Sequence, residues 1–335
     1  MFRELKFGEE LQNIWTRLYA GNKYLYPYSS YEYVQICRKC FRWQTHRWFD
    51  KTRILYYKNE LTGVEIIAPL TWHKGKIYIY GDWESARLLD FVYSENVTNY
   101  DFEQLFYCLR DVGGVKKLNL NRLHDDSLLR RYIEEQKTFN WREDNNRVCV
   151  KIDFEEGYEN YSSRLSKSAR RNLRTAHNGL QKIGLDISLD FVDSFSDKKI
   201  IYDEVFNVYC DRQNSKYGKS YRSIRRLKLR YLDPLTIASV ELHSGILAIV
   251  YIGDEIAGIL TGFVTNRDSI FVPRLAIVDK FRKYKPGKLL IDFTVKYLCE
   301  KNIVRCLDLS NGDEPYKLEM GGTQYMSHGY EVELV

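Results

Sequence analysis

The sequence predicts an α+β protein built from two similar units, and three observations carry that prediction. The chain has 335 residues, more than one ordinary core accommodates and comfortable for two. Short apolar runs of strand character alternate with longer stretches of helical period. The order of those segments then recurs after roughly 190 residues, which points to a duplicated unit.

In the first half, "RILYYKN" (53–59) and "GVEIIAPLTW" (63–72) predict two strands paired around "ELT", and "KIYIYG" (76–81) predicts a third. A long loop leads to a helix near 101–112, a strand "VKKLNL" (115–120) and a further helix from about 125. The second half repeats the order. "GILAIVYI" and "EIAGILTGFV" are strands joined by Gly253-Asp254, a strong hairpin signal, and "SIFVPRLAIV" (269–278) is the third. The basic loop "DKFRKYKPG" then enters "KLLIDFTVKYLCEKN", where Leu290, Phe293, Tyr297 and Leu298 recur at helical spacing. A strand "VRCLDL" (304–309) closes the repeat.

These patterns predict units at 1–150 and 151–335, each a mixed, mostly antiparallel sheet flanked by helices. A basic helix over 160–183 joins them. Leu165, Ala169, Leu173, Ala176, Leu180 and Ile183 form its apolar face, and Arg164, Lys167, Arg170, Arg171 and Arg174 the opposite one.

Composition narrows the class. Charged residues at 29% and hydrophobic residues at 44% describe a soluble globular protein. No apolar run reaches the roughly 18 residues that a spanning helix needs, and the charged start "MFRELKFGEELQ" shows no signal peptide, so a cytoplasmic protein is expected. The odd number of cysteines fits free thiols in a reducing compartment. Cys37 and Cys40 lack the second ligand pair that zinc requires, so no metal is expected. No GxSxG or Cys/His signature suggests a covalent hydrolase.

The net charge of +6 is concentrated at 164–174, 219–230 and 280–288, which favours phosphate-bearing ligands. The loop before the second-half helix holds Lys280, Arg282, Lys283, Lys285, Gly287 and Lys288. A helix start with lysines and a glycine suits a phosphate. The matching first-half loop holds Asp82, Glu84, Asp90, Glu95 and Asp101 and is expected to repel one. After the last strand, "LDLSNGDEPYK" (307–317) crowds acid, phenol and ammonium into a turn. Structure alone reads it as Gly312 turning, Asp313 capping and Pro315 opening a helix.

Strand, basic loop, helix and strand in that order resemble the acyl-CoA site of the GNAT acyltransferase superfamily. "YKPGKLLID" followed by "DLSNGDEPYK" looks like the CelD-like acetyltransferases associated with polysaccharide and cell-envelope genes. The likeness spans nearly the whole chain, including "RLSKSARRNLR", and is most specific over 284–317. It implies tandem GNAT-like folds, the N-terminal one degenerate. It also implies acetyl-CoA or another acyl-CoA as co-substrate and a sugar-containing acceptor. By the same resemblance Ala276, Ile277 and Val278 hold the acyl carbonyl, while Arg282, Lys283, Lys285, Gly287 and Lys288 cradle the pyrophosphate. The resemblance also implies Tyr316 as the group that protonates the departing thiolate; beside it, Glu314 and Asp308 are candidates for orienting or deprotonating the acceptor, and Lys317, Arg170 and Arg171 for binding it.

Such proteins are similar in turn to the Fem-type aminoacyl transferases, so transfer from aminoacyl-tRNA is the alternative enzyme. No long coiled-coil pattern accompanies it here, and nucleic acid is otherwise not expected as a partner. A binding protein that keeps the fold without turnover, using its basic faces on nucleic acid or anionic lipid, is the rival of another class. The sequence carries no signal for an oligomeric state.

Overall fold

The computed structural model describes residues 1–44, 47–82, 88–217 and 224–334. Glu84 and part of the 219–230 basic cluster therefore lie outside the described residues. The chain divides into two compact units, one of 1–148 with 326–335 and one of 149–325. The last ten residues, expected in the second unit, pack with the first.

The first unit runs β1 (Phe2–Leu5), α1 (Glu9–Ala20), α2 (Tyr31–Phe41), β2 (Lys51–Lys58), β3 (Glu65–His73), β4 (Lys76–Ile79), β5 (Val92–Tyr93), α3 (Asn99–Asp111), β6 (Lys117–His124), α4 (Leu128–Glu135) and β7 (Asn140–Glu143). Strands β1 to β4 form an antiparallel meander, and β6 joins β4 in parallel after the α3 crossover. A capping box fixes the start of α3: the Thr98 hydroxyl accepts from Asp101 N–H while the Asp101 carboxylate accepts from Thr98 N–H.

The second unit continues β8 (Arg147–Asp153), α5 (Tyr158–Arg164), α6 (Lys167–Gln181), β9 (Ile187–Val192), α7 (Phe195–Tyr217), α8 (Ile224–Leu232), α9 (Pro234–Glu241), β10 (Gly245–Ile252), β11 (Glu255–Val264), β12 (Ser269–Ile277), α10 (Pro286–Lys301), β13 (Cys306–Asn311), α11 (Pro315–Glu319) and β14 (Thr323–Glu333). Its sheet order is β8-β13-β12-β11-β10-β9. Strands β9 to β12 are antiparallel, and β13 joins β12 in parallel. Meander, helix, parallel strand and helix thus occur in both units, a tandem GNAT-like α+β architecture.

The second unit's strands read as unbroken apolar runs because both sheet faces are covered. Ile246, Ala248 and Val250 pack with α6 and α10 residues such as Ala169, Leu180 and Leu290. Leu247, Ile249 and Ala276 pack with Val205 of α7 on the other face.

The basic helix expected over 160–183 is two helices. Leu165 ends α5 in extended backbone, and Ser166 caps α6 by accepting from Ala169 N–H at 3.0 Å. Leu165, Ala169, Ala176 and Leu180 are buried as the periodicity required, whereas Ile183 lies beyond the helix and is exposed.

Candidate active site

The site of the second unit starts from a defect in β12. Its pairing with β11 shifts between Thr261 and Phe263. Gly262 lies in that shift, and an added Cβ there would come within 2.7 Å of Ile270 Cγ2. Pro273 lies in the same stretch of β12 and supplies no ladder donor. Beyond the bulge β12 also leaves β13, with which it pairs only at Ser269, Ile270 and Phe271. Residues 272–277 therefore keep β11 on one side and expose a backbone edge on the other.

Which amides occupy that edge follows from the ladder. Val278 N–H donates to Ala257 O at 2.9 Å, so alternation turns the N–H groups of Val278 and Ala276 toward β11. Leu275 and Ile277 turn theirs to the open edge. Of the three carbonyl-holding candidates, only Ile277 faces it. Ala276 and Val278 are spent on the ladder, and the Ala276 methyl is buried against α7.

Arg274 pins this free half of β12. Its guanidinium donates to Thr236 Oγ1 and Asp233 Oδ2, each at 2.6 Å, and lies 4.4 Å from the centre of the Tyr209 ring. Burial alone would lower its pKa, but Asp233, together with Tyr209 and Tyr202, offsets that and raises it.

After β12 the chain makes a 3-10 turn over Asp279–Tyr284, and Lys285 takes a left-handed conformation (φ 53°) before Pro286 opens α10. Gly287 sits against β12, where a Cβ would lie 3.3 Å from Ile277 Cγ2. Pro286 has no N–H, and the Gly287 amide has no acceptor one turn back, so it points outward at the helix start. The Lys285 ammonium donates to Asn172 Oδ1 of α6 at 2.6 Å, and Lys288 pairs with Glu319. Arg282 pairs with Asp279 at 2.9 Å, and Lys283 lies 4.7 Å from the centre of the Tyr284 ring. Asp279 also accepts from Ser215 Oγ at 2.8 Å, which ties the end of α7 to the turn and, ahead of Arg282, lowers its carboxyl pKa.

The turn after β13 is architecture as well as chemistry. Asp308 is buried and both its oxygens are engaged, Oδ1 by Ser310 N–H at 2.8 Å and Oδ2 by Tyr325 Oη at 2.6 Å. It thereby holds Ser310 at φ 62°. Gly312 follows at φ 96°, beneath the Glu314 carboxylate, whose Oε2 would lie 2.6 Å from an added Cβ. Glu314, not Asp313, occupies the position before α11, and Pro315 opens that helix.

Lys317 was expected to bind the acceptor and does not present itself for it. It is 3% exposed, and its ammonium donates to Asn311 O at 2.7 Å, to Gly312 O at 2.9 Å and to Glu314 Oε2 at 2.9 Å. With three donors used, the lysine closes the turn.

These parts converge on a cleft of about 460 Å³ lined by Leu275, Ile277, Lys285, Gly287, Lys288, Glu314 and Tyr316, with Arg212, Gln213 and Lys216 from α7. Among the described residues, four cations and one carboxylate line it. Burial first, and Glu314 second, raise the Tyr316 phenol pKa, so the group stays protonated at neutral pH. The cleft thus gathers the candidates Ile277, Lys285, Gly287, Lys288, Glu314 and Tyr316. It does not gather Ala276, Val278, Arg282, Lys283, Asp308 or Lys317. Arg170 and Arg171 are exposed on α6, the helix that supplies Asn172 to Lys285. Among the described residues no group of side chains is placed to hold a metal ion.

The α7 contribution escaped the sequence reading, although Arg212 and Lys216 stand four apart and so share a helix face. In the first unit's loop, expected to repel a phosphate, Glu95 is exposed but two of the acids do not present their charge. Asp82 and Asp90 are buried, and burial pushes both carboxyls up to about 7.

Comparisons with known proteins fit this geometry. Residues 167–318 match a family model described as an acetyltransferase (GNAT) domain, and no curated protein matches the chain. Three solved structures share the fold over nearly all of it. FemX has a TM-score of 0.62 at 9% identity, covering 98% of this chain and 96% of its own. A conserved protein of unknown function from Bacteroides thetaiotaomicron VPI-5482 has 0.59 at 11%, covering 100% of both. L-PGS from Bacillus licheniformis has 0.55 at 11%, covering 98% and 94%. Nearly all of this chain is therefore similar in fold to FemX and L-PGS, and its 167–318 segment is similar to a GNAT acetyltransferase domain.

Proposed function

We propose that the protein is an acyl-CoA-dependent N- or O-acyltransferase, of the CelD-like kind, acting on a sugar-containing precursor of cell-envelope polysaccharide. The carrying observation is that one cleft joins the open edge of β12, the start of α10 and a half-buried Tyr316 whose phenol pKa is raised. Acyl transfer from a thioester needs a polarised carbonyl, a nucleophile freed of its proton and a proton for the leaving thiolate.

In this reading the Ile277 N–H donates to the carbonyl. The Gly287 amide with Lys285 and Lys288 suits the pyrophosphate, with Arg212 and Lys216 adding charge for further phosphate. Tyr316 supplies the proton. Glu314, with its carboxylate half in solvent and half held by Lys317, is the acid lining the cleft among the described residues, and in this reading it orients the acceptor. The volume lies within the range of about 300–1,000 Å³ typical of small-ligand sites.

Calorimetric titration with acetyl-CoA tests the reading. Wild type should bind, and Lys285→Glu/Lys288→Glu should weaken binding by about a hundredfold, since two charges beside a phosphate reverse. Wild type that ignores acyl-CoA yet releases amino acid from aminoacyl-tRNA would replace this donor with the Fem-type one.

A further inference from the structure

The first unit carries a second cleft, of about 310 Å³, that the transferase reading does not use. Arg38, Arg42, Arg47, Trp48, Asp50 and Tyr80 line it. Arg47 is 5% exposed, with its guanidinium 3.9 Å from the centre of the Phe41 ring. It spends Nη1 on Asp50 at 3.2 Å, while Nε and Nη2 are buried and have no acceptor among the described residues. Asp50 is itself shared, since its Oδ1 lies 2.6 Å from His73 Nδ1. One carboxylate therefore faces three guanidinium groups, and the cleft keeps a positive excess. Over residues 38–53 the chain holds six Lys or Arg and one Asp, and Arg38, Lys39, Arg42 and Lys51 are exposed.

Beside that charge, large apolar side chains stand in solvent. Trp43 is 71% exposed, Trp48 66% and Phe49 92%. Trp48 is held in place by donating from Nε1 to Arg42 O at 3.2 Å. Exposed aromatics this close together mark a docking surface rather than a solvated one. Exposed cationic side chains beside exposed Trp and Phe match the boundary of an anionic bilayer. There, indoles sit at headgroup depth, a phenyl enters the acyl region and arginines meet phosphates. Among the described residues no helix is long and apolar enough to cross a membrane, so attachment by this surface would be peripheral.

We infer that the first unit docks on an anionic phospholipid surface, with Trp43, Trp48 and Phe49 inserted and a lipid phosphate at the Arg38–Arg42–Arg47 cleft. The inference does not depend on the acyl donor or the acceptor.

Co-sedimentation of the full chain with vesicles tests it. Binding should be strong to phosphatidylcholine vesicles containing phosphatidylglycerol and absent from pure phosphatidylcholine. Trp48→Ser/Phe49→Ser and Arg38→Glu/Arg42→Glu should each weaken it by about tenfold or more, with melting temperatures unchanged because all four side chains are exposed. No binding to either vesicle, or equal binding to both, would overturn the proposal. So would binding that survives the aromatic variant but is abolished by millimolar inorganic phosphate, since that marks a pocket for a soluble anion. Retention on single-stranded RNA in place of vesicles would overturn it in favour of base stacking.

Discussion

Tyr316 and Lys317 are neighbours with opposite placements, one lining the cleft and one buried in the turn. The lysine looks reactive on paper, yet its ammonium stitches the carbonyls of Asn311 and Gly312 and the Glu314 carboxylate together. The tyrosine reaches the cleft and keeps its proton. Tyr316→Phe should therefore leave melting temperature and donor binding near wild type, because the ring that packs is retained. Turnover should fall by about 10²–10⁴-fold, the usual loss of a positioned general acid. The raised phenol pKa fixes the sign of the pH effect. Ionisation of Tyr316 would begin only above the ordinary value near 10, so activity should show no fall from it between pH 7 and 9. Wild-type turnover in the variant would remove the phenol from the chemistry. Residue types and positions were legible in "LDLSNGDEPYK", but the direction of each side chain was not. Burial of Asp308 and Lys317 depends on Ser310 and Gly312 both taking positive φ, and no periodicity announces that.

At the scale of elements, the apolar strings of β10, β11 and β12 were readable because a sheet covered on both faces writes itself as unbroken hydrophobicity. The bulge that opens the site was not, since Gly262 and Pro273 look like ordinary interruptions until they are seen in the shifted ladder. The start of α10 follows the same rule. Gly287 was read as room for a phosphate, and it is also room for β12, with Ile277 Cγ2 at 3.3 Å from where a Cβ would stand. An alanine needs only a small shift there. A valine adds two methyls that must push the first turn of α10 from the strand, and with it the amide and lysines of the cleft. Gly287→Val should therefore weaken acetyl-CoA binding by about tenfold, measured by calorimetry, and Gly287→Ala by clearly less. Equal affinity in both variants would show that the packing of α10 on β12 does not set the site.

For the whole molecule, the repeated order of strands and helices announced two units, but not that the chain's last strand serves the first. β14 begins in the second unit, where Tyr325 bonds Asp308, and from Met326 onward it belongs to the first. There it pairs with β6 on one side and β7 on the other, and Tyr330, Val332 and Leu334 are fully buried. A strand paired on both edges cannot leave without stranding the backbone groups of its neighbours in a buried setting. Loss of Tyr330, Val332 and the following Leu334 would also leave a cavity worth several kcal/mol, at roughly 2–5 kcal/mol for each large residue lost. That approaches the whole stability of an ordinary domain, about 5–15 kcal/mol. The second unit keeps its sheet from β8 to β9 without those residues. A chain ending at Tyr325 should therefore lose its first unit, although the deletion lies at the opposite end of the sequence. Hydrogen exchange read by mass spectrometry would show the amides of β2, β3 and β6 unprotected and those of β10, β11 and β12 still slow. Protection retained in β6 would mean that β14 is dispensable to the first unit. Loss in both units together would mean that they fold as a single cooperative body.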